Sequence, residues 1–525
     1  MKSITVIARQ IGIKESELEL YGKYKAKISL SILSRIKKRP LGRYVVVTTM
    51  TPTKFGEGKT VTTIGLGSGL SRLGKKSVIT LRQPSMGPVF GLKGGGAGGG
   101  RSKVEPSEDI NLHFTGDMHA VGAANNLLCA FIDNHLARGN RLDIDPEAIM
   151  ARRTLDVSDR ALRRVKTMLG DDGTYRDTGF DITAASEVMA ILALASGRRD
   201  LRKRIGRIIA AFTRDKRPVF AEDLKCAGAM AAILKDAVKP NLVQTSECVP
   251  CIMHAGPFAN IAHGNNSVLA DMIALRLGDY VITESGFGVD CGAEKLFDIK
   301  CRVRGLKPPD GAVLVCTTRA LKTHGAGNMR KHIENIKAFG LNLVVAINRF
   351  PSDSKKDLDE IKKTAIRAGA EDAVISEARK KGSRGAVQLA KAVIRMCEKK
   401  SSFKFLYPLE APIKQKIDII AKKIYGAREV RYSGDAEKKI TLYEGLGYGG
   451  LPVNMAKTHL SLSHDPKITG RPEGFTLPIR DVKIAAGAGF LYPLCGEIRT
   501  MPGLPAAPRG EKIDIDKNGK ITGLS

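Results

Sequence analysis

Tryptophan is absent from this 525-residue chain and aromatic residues make up only 5% of it, so the core has to be built mainly from aliphatic side chains. Acidic residues are also scarce relative to basic ones: 54 Asp and Glu stand against 85 Lys and Arg, a formal charge of +31. That excess favours polyanionic partners such as nucleotides, acidic cofactors, nucleic acid or a membrane surface, and does not choose among them. It is densest in RIKKRP from Arg35, GRRDLRKRIGR from Gly197 and EARKKGSRG from Glu377. None of these runs interleaves aromatics as a single-strand stacking platform does, so they read as solvated basic faces and nucleic acid is not the expected partner. The nine cysteines are few, odd in number and scattered, which argues against a disulfide framework and for a reducing compartment. Cys248 and Cys251, with His254 three residues on, lack the second pair that a zinc site needs and read as ordinary thiols. No apolar run approaches the roughly 18 residues that span a bilayer. The N-terminal stretch has neither the apolar core of a secretion signal nor the acid-poor composition of a transit peptide. A cytoplasmic protein without a membrane partner is expected.

What is present is a strong alternation of short β-branched runs with longer helical ones, which predicts a mostly parallel sheet covered by helices. Strands are expected at Tyr44 to Thr49, Ser77 to Leu81, Leu242 to Thr245, Tyr280 to Thr283, Ala312 to Thr317 and Leu343 to Asn348. Helices are expected in KTVTTIGLGSGLSRLG, NSVLADMIALRLG and NMRKHIENIKAFG, each ending at glycine. The fold class is therefore α/β, a P-loop NTPase-like sheet flanked by helices with smaller additional α/β domains. Its expected divisions are 1–355 with a helical insertion at about 138–218, a second unit at 356–402, and a C-terminal unit at 403–525. Ligands of such sheets bind beyond the carboxyl ends of the strands, so the loops after Thr49, Leu81, Thr283, Thr317 and Asn348 are where chemistry is sought. The loop after Leu81 is glycine from Gly94 to Gly100 except at Ala97, and reads as a ligand loop.

The most informative stretch is TKFGEGKT. A phosphate loop needs a strand delivering backbone N–H groups around phosphate, a Lys to neutralise charge and a Ser or Thr to hold Mg²⁺. Gly56, Gly58, Lys59 and Thr60 supply these parts between an expected strand and an expected helix; only the leading glycine is missing, replaced by Thr53. Arg82 directly follows the second strand, where its planar guanidinium suits a carboxylate or phosphate, although a surface ion pair is an equal reading without a neighbouring loop. Asp117, His113 and His119 are weaker candidates for holding a metal or orienting a ligand. The residues alone thus describe an ATP-using α/β enzyme with an anionic second substrate.

Beyond single motifs, long ordered blocks run almost the length of the chain: LYGKYKAKISL, TPTKFGEGKTVTT, RQPSMGPVFGLKGGGAGGG, EDINLHFTGDMHAVGAANNLLCAFIDNH, FDITAASEVMAI, GPFANIAHGNNS, VVAINRFPSDS, LPVNMAKT and TMPGLPAAP. They resemble the formate–tetrahydrofolate ligase family. The resemblance implies ATP-dependent formylation of tetrahydrofolate through formyl phosphate, with formate, ATP and tetrahydrofolate as small-molecule substrates, Mg²⁺ as cofactor and a homotetramer as the assembly. It implies that Thr53, Gly56, Glu57, Gly58, Lys59 and Thr60 hold the nucleotide, that Lys59 and Arg82 are catalytic, with Arg82 on formyl phosphate, and that Thr60 and Asp117 serve metal ions. Family members stack the pterin between a Phe and a Trp; the Phe matches Phe350, and Arg379 stands at the place of the Trp. Gln83 replaces a Glu that, with the aspartate matching Asp117, is associated with a monovalent cation, which leaves dependence on such a cation open. Asn265 and Asn454 stand where members commonly carry Cys, and a segment is missing between Lys322 and Asn328. Two other readings are an ATP-dependent formate-activating enzyme with an altered pterin acceptor, and a noncatalytic relative that binds polyanions.

Overall fold

The computed structural model describes residues 1–91, 95–169 and 175–524. Its centre is a twelve-stranded sheet. Ten strands form its main path: β1 (Leu18–Leu20), β2 (Ala26–Ile28), β3 (Arg43–Thr49), β4 (Ser77–Leu81), β5 (Asn241–Thr245), β6 (Pro250–Met253), β7 (Tyr280–Gly288), β8 (Gly311–Cys316), β9 (Asn342–Asn348) and β10 (Asp372–Ser376). Their spatial order is β1-β2-β5-β6-β4-β7-β3-β8-β9-β10. From β6 to β10 every neighbour is parallel. The other end of the sheet pairs antiparallel.

The strands expected from sequence are all present, and for a physical reason. VVV in β3, VIT in β4 and LVVAI in β9 are β-branched and buried on both faces, the pattern of a parallel sheet sandwiched between helices. The helices that cover it include α1 (Lys59–Arg72), α2 (Val268–Leu277), α3 (Thr318–Ala338) and α4 (Val387–Glu398). Helix α3 is broken at Gly325, whose φ of 74° and ψ of 166° are not helical. A glycine tolerates that left-handed conformation, which lets the helix change direction there. Valines 45 and 47 of β3 pack with Leu66 and Leu70 of α1 and Leu389 and Val393 of α4, forming an aliphatic layer under the phosphate loop.

Two boundaries differ from expectation. Residues 138–218, expected to be helical, hold short strands at Ile144–Ile149, Arg153–Leu155, Val165–Met168, Tyr175–Thr178, Phe180–Ile182, Ile209–Thr213 and Pro218–Phe220, and among the described residues the α-helices there are Glu187–Leu194 and Arg198–Gly206. Val165–Met168 is alternately half-buried and exposed, with Lys166 and Met168 on its wet face, and a strand of four residues is too short for that alternation to be told from a turn of helix in the sequence. The stretch 356–402, expected as a second unit, donates β10 to the edge of the main sheet, paired in register with β9 from Val344↔Asp372 to Asn348↔Ser376. Residues 403–524 do form short strands and helices of their own, with pairings such as Glu429–Tyr432 beside Thr476–Ile479 and Asp481–Ala485 beside Phe490–Leu494. Among the described residues no helix is long and apolar enough to cross a membrane.

Candidate active site

The site lies at the carboxyl ends of β4, β7 and β3, and is best built outward from the phosphate loop. The chain leaves β3 through Thr51, which is buried and fixed by α3: Asn328 Nδ2 donates to its hydroxyl at 2.9 Å, and His332 Nε2 lies 3.0 Å from the same oxygen. The turn itself is made by Gly56 and Gly58, with φ of 74° and 70°. A Cβ at Gly58 would lie 2.9 Å from Asn348 Nδ2, so both backbone conformation and space require glycine there. Thr53 is not among the residues with positive φ, which is why it can stand where a leading glycine was expected.

Glu57 holds this loop together rather than reaching outward. Its Oε1 accepts from the Thr53 amide and hydroxyl, both at 2.7 Å, and its Oε2 accepts from the Thr317 hydroxyl. Asn348, the last residue of β9, donates to the carbonyls of Glu57 at 2.8 Å and Gly58 at 3.3 Å, and accepts from Thr62 Oγ1 at 2.9 Å. The loop is thus preorganised by one carboxylate and one amide, leaving the N–H groups that open α1 directed to the cleft.

Arg82 was expected beside the phosphate loop if β3 and β4 were neighbours. They are not: β7 lies between them. What β7 adds is Glu284, which sequence reasoning missed because the strand was expected to end at Thr283. It runs on to Gly288 with a shift in register after Glu284. Thr60 Oγ1 donates to Glu284 Oε2 at 2.8 Å, and Lys59 Nζ lies 3.8 Å from the same oxygen. Arg82 Nη1 donates to the Pro257 carbonyl at 3.1 Å, while its buried Nε has no protein partner. Burial lowers the pKa of Lys59, with Glu284 opposing and Arg82 adding to the effect; burial likewise lowers that of Arg82 against Glu284. Two cations facing one carboxylate, in a partly desolvated cleft beside open helix amides, form a net positive site suited to an anion.

Thr60 and Asp117, each expected to serve a metal ion, lie in different surroundings. Asp117 is buried, and both its oxygens are engaged at 2.7 Å, Oδ1 by Lys27 Nζ and Oδ2 by Asn241 Nδ2. Thr60 is joined instead to Glu284, and hydroxyl plus carboxylate oxygen is the donor chemistry that Mg²⁺ takes. His113 and His119 are exposed. His254 is buried and spends both ring nitrogens inside the protein, on Ser267 Oγ at 2.7 Å and the Ala237 carbonyl at 2.6 Å.

Phe350 and Arg379 follow the adjacent ends of β9 and β10. Phe350 is half-buried, its amide bound to Asp353 Oδ2 at 2.7 Å. Arg379 is exposed on a four-residue helix, Ala378–Lys381. Its backbone is covered by the glycine-rich segment: Arg101 N donates to the Arg379 carbonyl at 2.9 Å, and a Cβ at Gly100 would meet that oxygen at 2.3 Å. Gly100 therefore serves close packing against protein, where a ligand loop was expected; Gly94 lies outside the described residues. The guanidinium found over the Phe350 ring belongs to Arg319, a residue without any distinguishing motif around it.

These features define an α/β protein with a net positive cleft at the carboxyl edge of a parallel sheet. Comparison with known proteins is more specific: the model of the family described as formate–tetrahydrofolate ligase matches residues 1–525. Proteins named formate–tetrahydrofolate ligase are 54% identical in Roseiflexus castenholzii and 52% in Saccharopolyspora erythraea, each over 553 aligned residues, and 53% in Desulforamulus reducens over 552. Each comparison covers all of this chain and 97–98% of the relative. The chain belongs to the formate–tetrahydrofolate ligase family.

Proposed function

We propose that this enzyme ligates formate to tetrahydrofolate at the expense of ATP, by way of formyl phosphate, giving 10-formyltetrahydrofolate, ADP and phosphate. The observation that carries this reading is Lys59 Nζ lying 3.8 Å from Glu284 Oε2 at the phosphate loop, with Arg82 at the end of the strand on the other side of β7 offering a buried, unpartnered Nε. Formate and ATP are both anions, and bringing a carboxylate oxygen onto the γ-phosphorus requires fixed positive charge that is already in place. Lys59 and the amides opening α1 hold the phosphates. Arg82, with its unpartnered Nε, holds formate and then the formyl phosphate. A formate oxygen forms the new P–O bond as the bond to ADP breaks. A tetrahydrofolate nitrogen next forms the C–N bond to the formyl carbon, losing its proton as phosphate departs. Thr60 and Glu284 would hold Mg²⁺, which when bound neutralises phosphate oxygens.

Phe350 and Arg379 are the proposed walls for the pterin, the cytoplasm the proposed compartment and a homotetramer the proposed assembly. An acceptor other than tetrahydrofolate is the second reading, favoured by the exposed arginine at position 379. One assay separates them: purified enzyme with ATP, Mg²⁺ and formate, with and without tetrahydrofolate. Formation of 10-formyltetrahydrofolate is expected. Formate-dependent ADP release without that product would move the reading to another acceptor, and absence of any formate-dependent turnover would overturn both.

A further inference from the structure

The first three residues after β8 and into α3, Thr317, Thr318 and Arg319, each bind across to a different part of the site. Thr317 donates to Glu57 of the phosphate loop. Thr318 donates to Asp353, whose other oxygen holds the Phe350 amide. Arg319 does both: its Nη2 donates to the Gly56 carbonyl at 2.7 Å, while its guanidinium carbon lies 5.3 Å from the Phe350 ring centroid and 5.0 Å from that of Phe55. Its Nε is buried without a protein partner. Phe55, at the tip of the phosphate loop, is 80% exposed, an unusual placement for so large an apolar ring.

From this geometry we infer that Arg319 couples the two halves of the site, making nucleotide binding open the Phe350 face to the flat acceptor ring. The inference rests on the proposed function, which places nucleotide at the loop and a heterocycle at Phe350. In this structure the guanidinium covers the ring it would have to expose, held there by two aromatic rings and one neutral carbonyl. Nucleotide phosphates at the loop are far stronger acceptors than that carbonyl, and Arg319 has an unsatisfied N–H to offer them. Turning toward phosphate uncovers Phe350. Linkage then requires the converse: the heterocycle, by displacing Arg319, strengthens nucleotide binding by the same factor.

The test is calorimetric binding of tetrahydrofolate to the full-length enzyme, with and without a nonhydrolysable ATP analogue and Mg²⁺. We expect the analogue to tighten tetrahydrofolate binding by about fivefold or more. Arg319→Ala should bring that ratio to one, with nucleotide-free affinity rising toward the nucleotide-bound value of the wild type. Phe55→Ala changes only an exposed ring, so it keeps the test alive should Arg319→Ala not fold, and should give an intermediate ratio. Tetrahydrofolate binding that ignores nucleotide in the wild type, or a ratio unchanged in both variants, overturns the inference alone. Failure of tetrahydrofolate to bind in any nucleotide state overturns the proposed acceptor and the inference with it.

Discussion

The two sides of this site are made differently. On the phosphate side, Thr53, Glu57, Thr60, Thr62, Glu284 and Asn348 are locked by hydrogen bonds of 2.7 to 3.3 Å, and Glu57, Thr62, Glu284 and Asn348 are buried. On the ring side, Phe55 and Arg379 are exposed, and the side chains of Phe55 and Phe350 are held through the faces of their rings rather than by directed bonds. The difference follows from what each side has to do. Charge developing on phosphorus and carbon is stabilised only by dipoles that need not move, whereas a flat heterocycle can be held by any face of suitable size. One side therefore tolerates little substitution, and the other much.

That asymmetry can be broken or sharpened in order of severity. Lys59→Ala and Arg82→Ala should each lower turnover on the order of 10³-fold, read as formate-dependent ADP release, because each removes a fixed charge from the reacting anions. Glu284→Gln should cost on the order of 10²-fold and raise the Mg²⁺ concentration needed for half-maximal rate, since it removes one carboxylate oxygen beside Thr60. Phe350→Ala should raise the KM for tetrahydrofolate about fivefold with little change in kcat, the scale of one lost stacking contact. Arg379→Ala should change it less than about twofold, its side chain being exposed to water. An Arg379 effect as large as that of Phe350 would erase the proposed contrast.

The smallest effect on turnover is expected from Glu187→Gln, which lies on neither side. Glu187 accepts from the amides of Gly487 at 2.7 Å and Ala488 at 3.1 Å, tying the C-terminal hairpin to the helix Glu187–Leu194. Burial raises its pKa from 4.5 to about 7. As pH rises from 4.5 to 7, the unfolded chain releases this proton while the folded one keeps it, so stability falls across that window and levels off above it. The variant should lose this decline, by at most roughly 3 kcal/mol, measured by denaturant melts of both proteins at pH 4.5 and pH 8.

How much of this was legible beforehand differs along the same line. The sheet and the phosphate loop could be read because β-branched runs and Gly-Lys-Thr act locally, within a few residues. Glu284 could not, because its role comes from a strand inserted between β3 and β4 and continuing past its apparent end at Thr283 to Gly288. Arg319 was equally silent: an arginine opening a helix has no distinguishing neighbours until the fold lays it over two rings. The error at 138–218 has the same root, since strands of three to six residues are too short for their alternation to be separated from a helix face without their tertiary partners.

The insertion of β7 between β3 and β4 also sets a schedule for synthesis. The phosphate loop leaves the ribosome within the first sixty residues or so, yet the strand that joins β3 to β4 follows β4 by about 200 residues, which at 5–20 residues per second is a wait on the order of ten to forty seconds. Throughout that interval both strands present an unpaired edge, and Lys59 and Thr60 have no Glu284 to meet. Anything that shields such edges on a nascent chain would act here before the enzyme has a site at all.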